Sequence, residues 1–124
     1  ETAAEHLSWL QSYEGDYLSE TDYAWAENER KRLRDIWYKH AHAVSEMWRT
    51  LGYRRETLET YEMMEQKFPF SEELYFMIMQ FHADNGDLGM AKLKYDQLRS
   101  MLKEEYDIAP SLAVRQWADV AFRH

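Results

Sequence analysis

The sequence predicts an all-α chain folded as a stack of antiparallel helical hairpins. Three observations lead there. Gly52 and Gly86 lie 34 residues apart, and laying the chain over itself at that offset pairs Val44 with Ile78, Met47 with Phe81, Trp48 with His82, Tyr61 with Tyr95, Met64 with Leu98 and Phe68 with Leu102. Apolar residues recur at steps of three and four along most of the chain, which is the period of a helix with one buried face. Gly52, Gly86, Pro69 and Pro110 fall where those periods break, as expected of residues that cap or stop helices.

An offset of 34 residues is the length of one tetratricopeptide unit, a helix–turn–helix. The first unit, about 38–71, carries Ala41, Val44, Trp48, Gly52, Thr57, Tyr61, Met64 and Pro69 at the core positions. The second, about 72–105, carries Tyr75, Ile78, His82, Gly86, Ala91, Tyr95 and Leu98, with Lys103 where a proline would be expected. With a closing helix at about 112–122, the expectation is a single tetratricopeptide-like domain over 1–124, an α–α superhelix of about six helices. The first residue is Glu1 and not Met, which suggests a piece excised from a longer polypeptide.

Each element has a local reason. Ala3 to Gln11 is a short amphipathic segment with Leu7, Trp9 and Leu10, ending near Gly15. Ser19, Thr21 and Asp22 supply cap oxygens for a long helix whose stripe runs Trp25, Leu33, Ile36, Trp37, Ala41, Val44, Met47, Trp48 and Leu51. Such a helix spans roughly 40 Å at 1.5 Å per residue, and Gly52 stops it. Leu58, Tyr61, Met63 and Met64 continue the period from Arg54 to Lys67, before Pro69. Ser71 is an N-cap followed by Glu72 and Glu73, whose charges suit the positive end of a helix. The run Leu74 to Phe81 has the apolarity of a buried strand, but Leu and Met favour helix and only Ile78 is β-branched. Asn85-Gly86-Asp87 makes the turn, with Asp87 capping a helix that carries Met90, Ala91, Leu93, Tyr95, Leu98, Met101 and Leu102 to about Glu105. Pro110-Ser111 opens the last helix.

Composition narrows the function. A 124-residue chain that is 45% hydrophobic can hold a real core, since a domain of this size buries roughly two-thirds of its unfolded surface. Without cysteine there are no disulfides or thiolate metal sites, which suits a cytoplasmic protein. The longest apolar run, Leu74 to Met79, is far short of the roughly 20 residues of a membrane span, so no membrane association is expected. The net charge of −8 repels a phosphate backbone unless cations gather on one face. They gather only at Arg30, Lys31, Arg32 and Arg34, where Glu27 and Glu29 precede them at helical contact spacing. That segment reads as an ion-paired solvated face, with a phosphate or partner contact as the alternative.

Catalytic and metal patterns are missing. The chain has no nucleophile elbow, glycine-rich phosphate loop or H-E-x-x-H, so no enzyme activity and no cofactor are expected. His40 and His42 point to different helix faces, whereas His42 and Glu46 are four apart and share one, as a polar pair does. Asp84-Asn85-Gly86-Asp87 lacks the alternating ligands and distal glutamate of a calcium loop. Trp25, Trp37, Trp48, Tyr61 and Tyr95 sit on apolar stripes and read mostly as hairpin core, not as a base-stacking platform. What remains is surface. The first helix of each hairpin lines the concave side, which predicts a partner-binding groove of Lys39, His42, Glu46 and Arg49 in the first unit and Glu73, Phe76, Gln80 and Asp84 in the second. Phe76 is either an exposed anchor for a partner or packed against the preceding hairpin or the last helix.

The blocks Tyr13-Glu14-Gly15-Asp16-Tyr17-Leu18 and Trp25-Ala26-Glu27-x-x-Arg30-x-x-Leu33, followed by Gly52, Tyr61, Pro69, Glu73, Gly86-Asp87, Ala91, Tyr95, Leu98 and Ile108-x-Pro110-Ser111, resemble the bacterial transcriptional activator domain. The resemblance runs from about Leu10 to about Val120. It departs at Thr57, where a small residue is usual, at Tyr106, where leucine is usual, and at Asp107, which stands in place of glycine. The resemblance implies a tetratricopeptide-like module that follows a winged-helix DNA-binding domain in antibiotic-regulatory-protein-type activators and some response regulators of two-component signalling. It implies a role in transcription regulation through contacts with that DNA-binding domain, a second subunit such as a homodimer partner, or the transcription machinery. DNA would be read only by the N-terminal domain outside this chain. A general scaffold or peptide- or ligand-sensing domain unrelated to transcription is the alternative.

Overall fold

The computed structural model describes residues 20–123. Among them it contains five helices and no strand: α1 (Glu20–Leu51), α2 (Arg54–Lys67), α3 (Glu72–Asp84), α4 (Leu88–Tyr106) and α5 (Leu112–Ala121). The helix expected at Ala3 to Gln11 lies outside the described residues. The run Leu74 to Phe81 is helical, as its Leu and Met content predicts. The chain divides into two compact units, Glu1–Tyr53 and Arg54–His124.

In the first unit, α1 is continuous over 32 residues, roughly 48 Å. Its buried residues are Ala26, Leu33, Ala41 and Ser45, with Ile36, Trp37 and Trp48 partly buried. The expected stripe is not uniformly covered. Trp25, Val44, Met47 and Leu51 are 48%, 41%, 49% and 59% exposed, so Trp25 is not core. At 100° per residue, Ala41 and Ser45 lie about a quarter-turn round the helix from Ala26 and Leu33. The buried face therefore winds, and a straight stripe drawn through Val44 and Leu51 leaves it. The Ser45 hydroxyl, with no access to water, donates to the His42 carbonyl at 2.7 Å, which meets the requirement that a buried hydroxyl be bonded.

The two glycines end their helices in the same way. Gly52 has φ +82°, with Gly52 N–H donating to Arg49 O at 3.1 Å and Tyr53 N–H to Trp48 O at 3.0 Å. Gly86 has φ +80°, with Gly86 N–H donating to Ala83 O at 3.0 Å and Asp87 N–H to His82 O at 2.8 Å. These are paired Schellman closures, in which a left-handed residue turns the last N–H groups back onto orphan carbonyls. The 34-residue repeat is thus a repeat of chain termination as well as of apolar positions.

In the second unit, α2 buries Thr57, Thr60, Tyr61 and Met64, one face at helical spacing. The Thr60 hydroxyl donates to Glu56 O at 2.8 Å, and Thr57 is fully buried. From α3 come Leu74, Ile78, Met79 and Phe81, with the Tyr61 and Phe81 rings edge to face at 5.6 Å. α4 packs along α3, and Met79, Leu98, Met101, Leu102 and Val114 form a core cluster joined by Tyr75, Phe76, Tyr95 and Trp117. Val114 and Trp117 bring α5 into that cluster.

The caps follow the side chains. Ser71 Oγ accepts from Leu74 N–H at 3.2 Å, and Asp87 Oδ1 from Met90 N–H at 3.1 Å. Ser111 stands at the N-cap of α5 but its hydroxyl makes no cap bond. Its backbone N–H instead donates to Glu72 Oε1 at 3.1 Å, tying the start of α5 to the start of α3. Asp107, in the place of a glycine, takes the left-handed conformation at φ 52° and ψ 44°. Its N–H reaches Leu102 O and Lys103 O, and its carboxylate pairs with Lys103 at 2.6 Å.

Candidate functional site

The sequence-predicted site residues fall on three surfaces. On α1, Lys39 and Arg49 are exposed while His42 and Glu46 are partly buried. Glu46 is the centre of this group, with its Oε2 2.5 Å from Arg49 Nη2 and its Oε1 4.0 Å from His42 Nε2. The hydrogen bond from Arg49 holds the Glu46 carboxyl below the usual carboxylate range; burial opposes the shift, and the charges of Arg49 and His42 add to it. Tyr38 stacks on His42 with ring centroids 6.4 Å apart. The result is a polar strip in which the Glu46 charge is matched by Arg49 along the helix.

Further up α1, the basic segment is interleaved with acid. Arg30 Nη1 lies 3.0 Å from Glu27 Oε2 and Arg32 Nη2 lies 2.8 Å from Glu29 Oε2. Lys31 and Arg34 are exposed. Two of the four cations therefore have their charge answered on the same helix.

On α3, Glu73 and Asp84 are exposed and Gln80 is partly buried. Phe76 is partly buried too, its ring edge to face with Trp117 of α5 at 5.6 Å and packed against the core cluster. Of the two placements open to Phe76, packing on the last helix is the one present.

A fourth feature is a cleft of about 260 Å³ between α2 and α4. Tyr61 of α2 and Ile78 and His82 of α3 lie at its base, and Leu58, Met90 and Leu93 form apolar walls. Glu62, Glu65, Lys94 and Gln97 complete it. Glu65 and Lys94 form an ion pair from α2 to α4 with side chains 28% and 15% exposed, and the Lys94 ammonium also sits 4.7 Å from the centre of the Tyr75 ring. Burial pushes the Tyr75 hydroxyl up, and the Glu65 carboxylate adds to that. Burial lowers the His82 imidazole from its ordinary value; Asp87 opposes this and Lys94 reinforces it.

The family model of the bacterial transcriptional activator domain matches residues 1–119. The chain belongs to this family. No curated protein and no solved structure matches it. Membership of the bacterial transcriptional activator domain family places the chain in bacterial transcription regulation, in a regulatory and not an enzymatic class of domain. Among the described residues no group of His, Asp and Glu is arranged to hold a metal ion, and no helix is long and apolar enough to cross a membrane.

Sequence reasoning did not find the cleft of this bacterial transcriptional activator domain. Glu65 and Lys94 are 29 residues apart, a spacing that corresponds to no helical or repeat period. The one signal was on α4, where Met90 and Leu93 lie off the buried face of Ala91, Leu98, Met101 and Leu102.

Proposed function

We propose that this chain is the protein-interaction module of a cytoplasmic bacterial transcriptional regulator, acting without catalysis beside a winged-helix DNA-binding domain that lies N-terminal to it. It contacts that domain, a second subunit or the transcription machinery, and DNA is reached only through the winged-helix domain. The observation that supports this reading most directly is the family match over residues 1–119. Charge points the same way: a net −8 chain disfavours phosphate, and Arg30 and Arg32 are engaged by Glu27 and Glu29.

We assign a partner surface to each unit by itself: Lys39, His42, Glu46 and Arg49 on α1 in the first, and Glu73, Phe76 and Gln80 on α3 in the second. Within the first, the Glu46–Arg49 pair presents a fixed charge pattern, which favours specificity over raw affinity. Phe76 contributes through its exposed portion while anchoring α5.

The test uses the full regulator with a promoter reporter and an operator-binding assay. Lys39→Glu with Arg49→Glu is expected to reduce activation by about tenfold, the effect of roughly 1.4 kcal/mol at an interface, with operator affinity unchanged. Loss of operator binding in that variant overturns the assignment. So does salt-sensitive duplex binding by residues 1–124 alone that disappears when Arg30, Lys31, Arg32 and Arg34 are neutralised.

A further inference from the structure

We propose that the cleft between α2 and α4 is a second docking site, which takes an apolar side chain of a partner polypeptide with a lysine or arginine beside it. Three observations carry this beyond the surface assigned above.

The walls of the cleft are apolar without being core. Met90 and Leu93 are 43% and 49% exposed, and α4 makes its core with a different set, Ala91, Leu98, Met101 and Leu102. Leu58 from α2 faces them. Apolar walls around an open depression are what an anchor residue needs, because its burial there removes both surfaces from water.

Size selects the occupant. About 260 Å³ lies below the roughly 300 Å³ at which cofactor and small-molecule pockets begin. It suits one or two side chains.

Charge selects its neighbours. Glu62 and Glu65 stand on the α2 side, and Lys94, the one lysine or arginine lining the cleft, pairs with Glu65 and lies over the Tyr75 ring. His82 at the base is held toward its neutral form by burial. The rim is therefore net acidic, and an incoming cation gains where a carboxylate or phosphate loses. The site is also separate from the α3 part of the assigned surface. At 100° per residue, Ile78 and His82 lie on the side of α3 opposite Glu73, Phe76 and Gln80, so both can be occupied at once.

The test is a selection from a displayed library of random peptides of about 16 residues on the chain of residues 1–124, followed by affinity measurement of the enriched peptides by fluorescence anisotropy. Leu93→Ser and Glu62→Lys are the discriminating variants. Both positions are exposed, and unchanged circular dichroism and urea midpoints establish that each variant is folded. The expected result is enrichment of peptides with a large apolar residue within four positions of Lys or Arg. Their affinity falls at least tenfold on either variant and weakens with salt on the wild type. Three results overturn the proposal: enriched peptides that are acidic, enriched peptides that bind both variants as well as wild type, and no peptide that distinguishes wild type from the variants. A concentration-dependent dimer in sedimentation velocity that Leu93→Ser abolishes also overturns it, by giving the cleft to a second copy.

Discussion

Lys94 is the residue where stability and the candidate cleft meet, and Lys94→Met is the most informative single change. Methionine keeps the apolar stem and removes the charge, so packing on Tyr75 survives. Two interactions are lost, the pair with Glu65 and the contact with the Tyr75 ring at 4.7 Å. Exposed pairs contribute about 0.2–1 kcal/mol, and breaking a fully buried one costs about 3–5 kcal/mol. With side chains 15% and 28% exposed this pair lies between, and about 1–1.5 kcal/mol is a fair value. A partly desolvated cation over a ring adds about 0.5–1 kcal/mol. Lys94→Met is therefore expected to cost about 2 kcal/mol, Glu65→Gln about 1–1.5 kcal/mol, and the double variant about 1 kcal/mol less than their sum. Urea unfolding followed by circular dichroism at constant m-value measures all three. A coupling below about 0.3 kcal/mol, which is additivity within error, refutes the bridge as a determinant of how α2 and α4 are held. Salt gives an independent check: the coupling should persist at ionic strengths that screen surface pairs such as Arg32–Glu29.

Gly86→Ala places a Cβ that meets nothing within 4 Å at φ +80°, so its whole cost is backbone conformation, about 1–2 kcal/mol; Gly52→Ala at φ +82° is expected to cost the same in thermal or urea unfolding. Asp107→Gly has the opposite sign, a gain of up to about 1 kcal/mol, since glycine accepts the left-handed region without strain and the Lys103 pair it removes is exposed. For His82, burial lowers the folded-state value, so below the ordinary histidine range the unfolded chain binds the proton more readily. Stability should then be undiminished above that range and fall as pH drops through it. His82→Gln should flatten this slope in urea midpoints collected between about pH 8 and pH 5, with Asp87 softening the effect of burial and Lys94 adding to it. An unchanged slope removes His82 from the acid response.

Helices and their ends were legible because each is decided locally. Gly52, Gly86, Ser71 and Asp87 act within four residues of themselves, and the bonds they make are the ones their chemistry predicts. Pro110-Ser111 opens the last helix as expected, while the bond from the Ser111 N–H to the remote Glu72 carboxylate was not legible, because it joins residues 39 apart. α1 was misjudged for a related reason. Its apolar series recurs at steps of three and four beyond the charged stretch after Ala26, whereas the face that is covered rotates along the helix, leaving Val44 and Met47 exposed at positions where Ile78 and Phe81 are 3% and 5% exposed. Ile78 and Phe81 have α2 beside them in the same unit, where Tyr61 meets the Phe81 ring. Equal spacing in a repeat guarantees equal backbone geometry, but burial depends on what stands alongside.

The same distinction explains why function was less legible than fold. The α1 residues chosen from spacing, His42, Glu46 and Arg49, are joined by contacts along one helix, and such contacts follow from position alone. The cleft is built across helices, from a lysine on α4, carboxylates on α2 and a histidine on α3. None of those residues forms a motif, and each is ordinary on its own helix. What brings them together is that α3 is flanked by α2 and α4, so that its Ile78–His82 edge becomes the base of a trough walled by its neighbours. The residues on the two flanking helices can then vary toward a partner without disturbing the caps and core that maintain the stack. The docking proposed at this cleft therefore rests on pairs of positions on successive second helices, here Leu58 with Leu93 and Glu65 with Lys94.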